Sequence, residues 1–141
     1  LAAEGRGTHS ALAGFLTAGL HAQRGENEAA AEIYDRIAGT RGLDSVYRDL
    51  ASLLAVSHRL DSGEAQKLHA ALRPLAAPKS VWRFSALELQ ALLYAREGKM
   101  KEAVDTLGLL TGNNDAPAEV RARATTLRAL YLESAADTGR G

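Results

Sequence analysis

Apolar positions along this chain follow helical spacing. Leu12, Phe15, Leu16 and Leu20 fall near one face of a single helix, and Ile33, Tyr34 and Ile37 form a second such set. Sustained apolar/polar alternation rich in Val, Ile or Thr, the mark of a half-buried strand, does not occur. Breakers and caps divide the pattern into seven segments. A first helix capped by Thr8 or Ser10 runs to about residue 24, where Gly25 breaks it, and Asn27 caps a second over about 28–37. The run GTRGLDS (39–45) is turn chemistry, with Asp44 or Ser45 capping a third helix over about 46–58. Asp61 or Ser62 caps a fourth that Pro74 stops after about residue 72, and RPLAAPKS is a loop. A fifth helix covers about 80–97, Gly98 ends it, and a sixth reaches about 110. TGNNDAP is the next turn, with Asp115 as cap and Pro117 in the first turn of a seventh helix extending to about 134. The glycine-rich segment 1–9 and the tail 137–141 are expected to be flexible, flanking a helical domain over 10–136. The pattern predicts an all-α fold of antiparallel helix pairs.

One arrangement occurs twice. HAQRGENEAAAEIY (21–34) and YAREGKMKEAVDTL (94–107) align without gaps, matching Ala22 with Ala95, Gly25 with Gly98 and Ala30 with Ala103. Further back, Ala18 matches Ala91 and Leu20 matches Leu93. The separation is 73 residues (98 minus 25), slightly more than two units of about 34, so a third copy is expected between them. Aligned on Ala65, that copy is degenerate, with Leu53 in place of the alanine and Leu60 in place of the glycine. The physics of the repeated residues is simple. Glycine at a helix end permits positive φ without Cβ strain. Alanine on both sides of a crossing lets two helix axes approach at the short end of the ~8–10 Å range.

These residues resemble the tetratricopeptide repeat family, built of helix–turn–helix units. Its pattern of a small residue, a large one, glycine at the turn, alanine and then an aromatic falls on Ala91, Tyr94, Gly98, Ala103 and Leu107 in the last copy, and on Ala18, His21, Gly25, Ala30 and Tyr34 in the first. Leu107 departs from the aromatic and His21 from the usual tyrosine. The resemblance implies a right-handed α-α superhelix of about three helix pairs plus a C-terminal capping helix carrying Arg121, Arg123 and Arg128. It makes Ala18, Gly25, Ala30, Tyr34, Ala65, Ala91, Tyr94, Gly98 and Ala103 packing residues. A narrower likeness lies in PLAAPKSVWRFSALELQALL (74–93), which resembles bacterial proteins related to the ancillary subunit of the Sec translocon. That likeness implies a non-enzymatic domain on the periplasmic face of the inner membrane, held by an anchor absent from this chain. Its partners would be the translocon or periplasmic chaperones. A cytoplasmic adaptor is the alternative setting.

Composition narrows the chemistry. Hydrophobic residues make up 46% of the 141 and charged ones 24%, with Ala and Leu dominant, which suits a helical globular domain. Seventeen basic residues balance 17 acidic ones, so no broad basic face is available for nucleic acid. There is no cysteine, hence no disulfide or thiolate chemistry. His9, His21, His58 and His69 show no metal-ligand spacing and read as surface or partly packed imidazoles. Nucleotide-binding and nucleophile-elbow motifs are absent, and Glu97, Lys99, Lys101 and Glu102 read as a solvated face. No cofactor, metal or catalytic constellation is expected.

The candidate function is protein binding. By the resemblance, the inner surface would be built from Phe15, Gly19 and Gln23, from Tyr47, Leu54 and His58, and from Glu88, Leu92 and Arg96. Such a strip suits an extended or helical peptide. It could instead be covered by the seventh helix or by a second copy in a homo-oligomer. Trp82 reads as a structural anchor between the second and third helix pairs, or as an exposed aromatic at a partner interface.

Overall fold

The computed structural model describes residues 2–140, and side chains for 5–139. Among the described residues the fold is all-helical: α1 (Ala2–Gln23), α2 (Asn27–Ala38), α3 (Ser45–His58), α4 (Ala65–Leu75), α5 (Arg83–Arg96), α6 (Met100–Thr111) and α7 (Ala118–Arg140). The chain divides between Glu64 and Ala65 into two compact units, α1–α3 and α4–α7. Within each, every helix packs on its neighbours in the chain.

The two glycine turns have one geometry. At the end of α1, Gly25 has φ +76°, its N–H donates to the Ala22 carbonyl at 3.0 Å, and the Glu26 N–H reaches back to His21 O at 2.9 Å. At the end of α5, Gly98 has φ +78°, with Gly98 N–H to Ala95 O at 3.0 Å and Lys99 N–H to Tyr94 O at 2.9 Å. This paired closure satisfies two of the carbonyls left open at a helix C-terminus and needs a residue tolerant of positive φ. The correspondence continues at the same offset. Gly39 and Gly112 end α2 and α6 at φ −88° and −91°, α3 and α7 begin at Ser45 and Ala118, and Ala51 and Ala124 are both fully buried. Thus α1–α3 and α5–α7 are two copies of one three-helix arrangement, and α4 is an additional helix packed on α5.

Small side chains carry the crossings. In the first unit Ala11 and Ala18 of α1, Ala30 and Ala31 of α2, and Ala51 and Ala55 of α3 share a core with Tyr34, Ile37 and Leu43. At Gly14 a Cβ would lie 2.9 Å from Ile37 Cδ1, so the glycine lets Ile37 seat against the α1 backbone. In the second unit Leu87, Ala91, Leu107, Leu110 and Ala124 form a core flanked by Phe84, Val120, Leu127 and Tyr131.

Several expectations change. The expected inward stripe of α1 is reversed: Leu12, Leu16 and Leu20 are 58%, 66% and 55% exposed, and only Phe15 of that set is partly buried. The alanine and glycine face is inward because it alone allows close approach to α2. Helix α1 also extends through residues 2–9, and α7 through 137–140, both assigned to flexible ends from sequence; Leu1 and Gly141 lie outside the described residues. Pro74 sits inside α4, in its last turn, where the buried Leu75 holds the chain helical and Ala76 N–H still reaches Leu72 O at 2.9 Å. The α3–α4 link (59–64) is longer than the glycine turns, so Ala65 opens α4 half-buried and Leu68 takes the fourth-position burial held by Ala30 and Ala103. Asp44 caps α3, accepting from Val46 N–H at 2.9 Å. Asn27 does not cap α2, which is preceded by Glu26 with no side-chain cap bond, and α5 starts at Arg83 after Trp82 rather than near residue 80. At the α6–α7 link, Asn113 Oδ1 accepts from the Asp115 N–H at 2.8 Å.

The two kinds of glycine should respond oppositely to alanine. Gly98→Ala is expected to lower unfolding free energy by about 1 kcal/mol through its positive φ. Gly19→Ala, inside α1 where an added Cβ meets open space, is expected to raise it by up to about 1 kcal/mol. Urea unfolding of the two variants checks this; equal effects would contradict the turn geometry.

Candidate functional site

The nine groove positions divide between the two units, with Gly19 partly buried inside α1. In the first, Phe15 of α1 and Tyr47 of α3 come together, lining an apolar cleft of about 160 Å³ with Thr8, Ala11, Leu12 and Leu43. Tyr47 is 51% exposed. Leu54 lies half-buried against the core behind it, and Gln23 is exposed at the last residue of α1. His58 is not a free groove residue. Its ring stacks flat on Tyr34, with centroids 5.7 Å apart and planes 10° apart, and its Nδ1 lies 3.2 Å from Asn27 Oδ1. Phe15 meets the same tyrosine at 5.9 Å.

Beside this aromatic column, Arg59 clamps α2. Its Nε and Nη2 donate to Glu28 at 2.8–3.1 Å, and its Nη1 donates to Asp35 at 2.7 Å. The hydrogen bonds from Arg59 hold the Glu28 carboxyl below its ordinary value, and those to Glu28 first, then Asp35, raise the guanidinium further. His21 pairs with Glu26 across the first glycine turn.

In the second unit, Glu88 is occupied by Arg123 of α7, which donates to its two oxygens at 2.8 and 3.1 Å. Leu92 is half-buried, and Arg96 is exposed at the last residue of α5. Glu88 stands at the position of Phe15 in the first unit, so one copy carries an ion pair where the other carries an apolar cleft. Trp82 is half-buried just before α5, its backbone N–H donating to Ser80 Oγ at 3.2 Å. Of the packing residues, Ala18, Ala30, Ala91 and Ala103 are fully buried and Tyr34 nearly so, while Tyr94 is half-buried.

Two features were not read from the sequence. One is the outward leucine stripe of α1. The other is a polar pocket of about 470 Å³ between α4 and α5, lined by Gln66, His69, Arg73, Gln90, Tyr94, Glu97 and Lys99. There His69 Nε2 lies 2.6 Å from Glu97 Oε2, the two side chains only 15% and 18% exposed, and the His69 ring meets Tyr94 at 4.5 Å. Glu97 therefore belongs to a structural pair, not to a solvated face. The bond from His69 holds its carboxyl below the ordinary value, with Lys99 at 3.5 Å adding to the effect. Neither segment's own pattern marks this pairing, which depends on α4 and α5 being neighbours. Among the described residues no cluster of three or more His, Asp or Glu is able to hold a metal ion, and no helix is long and apolar enough to cross a membrane.

Comparison of the chain with protein-family models, with curated proteins and with solved structures returned no match in any of the three.

The Glu97 pair has a pH signature. A carboxyl more acidic in the folded chain contributes stability above the ordinary glutamate value of 4.5, and that stability is lost as pH falls through the lower folded value. Glu97→Gln is expected to cost about 1 kcal/mol at pH 7. It should also flatten the loss of stability between pH 5 and 3, followed by urea unfolding at each pH; parallel curves for variant and parent would contradict the pairing.

Proposed function

We propose that this protein is a non-enzymatic scaffold whose α1–α3 unit binds a protein partner, and that its helix pairs are of the tetratricopeptide type. The reading rests on one observation: Leu12, Leu16 and Leu20 stand more than half exposed on α1, next to the apolar cleft of Phe15 and Tyr47. Contiguous exposed apolar surface of this kind marks interaction sites in soluble proteins. The stretch 7–23 contains no Asp, Glu, Lys or Arg, so nothing charged opposes an apolar partner along four turns of helix. Burying one such leucine contributes roughly 1.5–3 kcal/mol, enough for a few side chains to dominate an interface. The tetratricopeptide reading is supported by the two matching glycine turns and by the buried alanines on each side of them.

The likeness of residues 74–93 to relatives of the Sec ancillary subunit supports a periplasmic setting in a bacterial cell. There the domain would serve translocon or chaperone assemblies from an inner-membrane tether outside this chain; a cytoplasmic adaptor is the alternative. Self-association is the second reading, since the same exposed leucines would suit a second copy of this chain.

A photo-crosslinking residue placed at Leu16 and at Tyr47 in cells is expected to capture a protein of different sequence, while one at the exposed Lys101 captures none. Capture of a second copy alone would favour self-association, and absence of any protein adduct at both sites would refute the scaffold reading.

A further inference from the structure

The second unit contains a worked example of how the outward face of α1 can be covered. At the 73-residue offset, Ala13, Leu16 and Leu20 of α1 correspond to Ala86, Leu89 and Leu93 of α5. Ala86 and Leu93 are fully buried and Leu89 is half-buried, on a helix against which α4 packs. Ala13 is exposed, and Leu16 and Leu20 are 66% and 55% exposed. The matched positions are thus buried in the unit where α4 packs on α5, and exposed on α1. Helix α4 itself buries Leu68, Leu72 and Leu75, at i, i+4 and i+7.

The charges at the edge of this face are exchanged between the copies. Just past α5, Glu97 pairs with His69 of α4 and stands two residues before Lys99. The equivalent positions beside α1 are Arg24 and Glu26. Glu26 is engaged by His21, whereas Arg24 is exposed with no ion pair among the described residues. A helix seated on α1 as α4 sits on α5 would bring the residue at the His69 position toward a cation.

Resting on the scaffold reading above, we propose that the partner of α1 is an amphipathic helix of another protein. That helix carries large apolar residues at i, i+4 and i+7 and an Asp or Glu one residue after the first of them. The apolar residues cover Leu16 and Leu20, and the carboxylate pairs with Arg24. Helix-on-helix burial supplies the affinity, and the ion pair sets the register.

The α4 sequence itself is the probe. A synthetic peptide of residues 61–78, DSGEAQKLHAALRPLAAP, and its His69→Glu form are titrated into the full chain labelled at its leucine methyl groups. Both peptides are expected to shift Leu16 and Leu20. The His69→Glu peptide should bind about two- to fivefold more tightly, a preference that Arg24→Glu in the chain reverses. A peptide with Leu68 and Leu72 changed to Asp should shift neither. The proposal is overturned if neither peptide moves the α1 methyls, if only Leu93 moves, if both bind equally in the parent and the Arg24→Glu chain, or if Leu16 and Leu20 shift with protein concentration alone. Arg24 is an exposed residue outside the cores, so its replacement leaves the fold intact; Leu16→Asp, on the outward face, gives a second check by abolishing the α1 shifts. Failure here leaves the in-cell crosslinking result, and hence the scaffold reading, standing on its own.

Discussion

Close approach of helix axes governs how this chain packs and what it leaves exposed. Six of the nine buried residues of the first core are alanines, and a glycine opposite Ile37 tightens the α1–α2 contact further. Alanine buries little apolar area, so such a core gains less from the hydrophobic effect than one of leucines. Its return comes from many dispersion contacts at short range, which are lost steeply if the axes separate. A methyl group is therefore close to the largest side chain these crossings accept, and the positive-φ glycine at each turn lets the two helices fold back within three residues.

Tight crossings also decide what is left outside. A helix that turns its small residues inward must present its large ones elsewhere. In α5 the displaced Leu93 is buried in a unit where α4 packs on the same helix; in α1 the displaced Leu16 and Leu20 remain in solvent. The two copies differ at matched positions. Phe15 and Tyr47 keep an apolar cleft open in the first unit, while Glu88 and Arg123 close the corresponding position with an ion pair in the second. The proposed binding role therefore rests on features of the first unit alone.

How far the sequence revealed this depended on whether a feature was local. Turn positions were legible because Gly25 and Gly98 act within five residues, and Asp44 caps α3 through a bond two residues long. Helix ends were less so: Pro74 stops a helix by local rules, yet burial of Leu75 carries α4 past it. The inward face of α1 was misread because apolar size is the usual signal for burial, and here the shape of the crossing outweighed it. The pairing of His69 with Glu97, 28 residues apart, depends on which helices adjoin and leaves no pattern in either segment alone. Of the candidate groove, Phe15 and Tyr47 meet as neighbours, whereas His58 and Glu88 are engaged by Tyr34 and Arg123.

Whether alanine methyl groups close the crossings can be read from their solvent accessibility, by NMR with a soluble paramagnetic agent. Ala18, Ala30, Ala51, Ala91, Ala103 and Ala124 should keep sharp signals while the exposed Ala129 broadens. Broadening of Ala30 and Ala103 to the extent of Ala129 would show that the helix axes do not meet through those methyl groups, and the packing described here would be wrong.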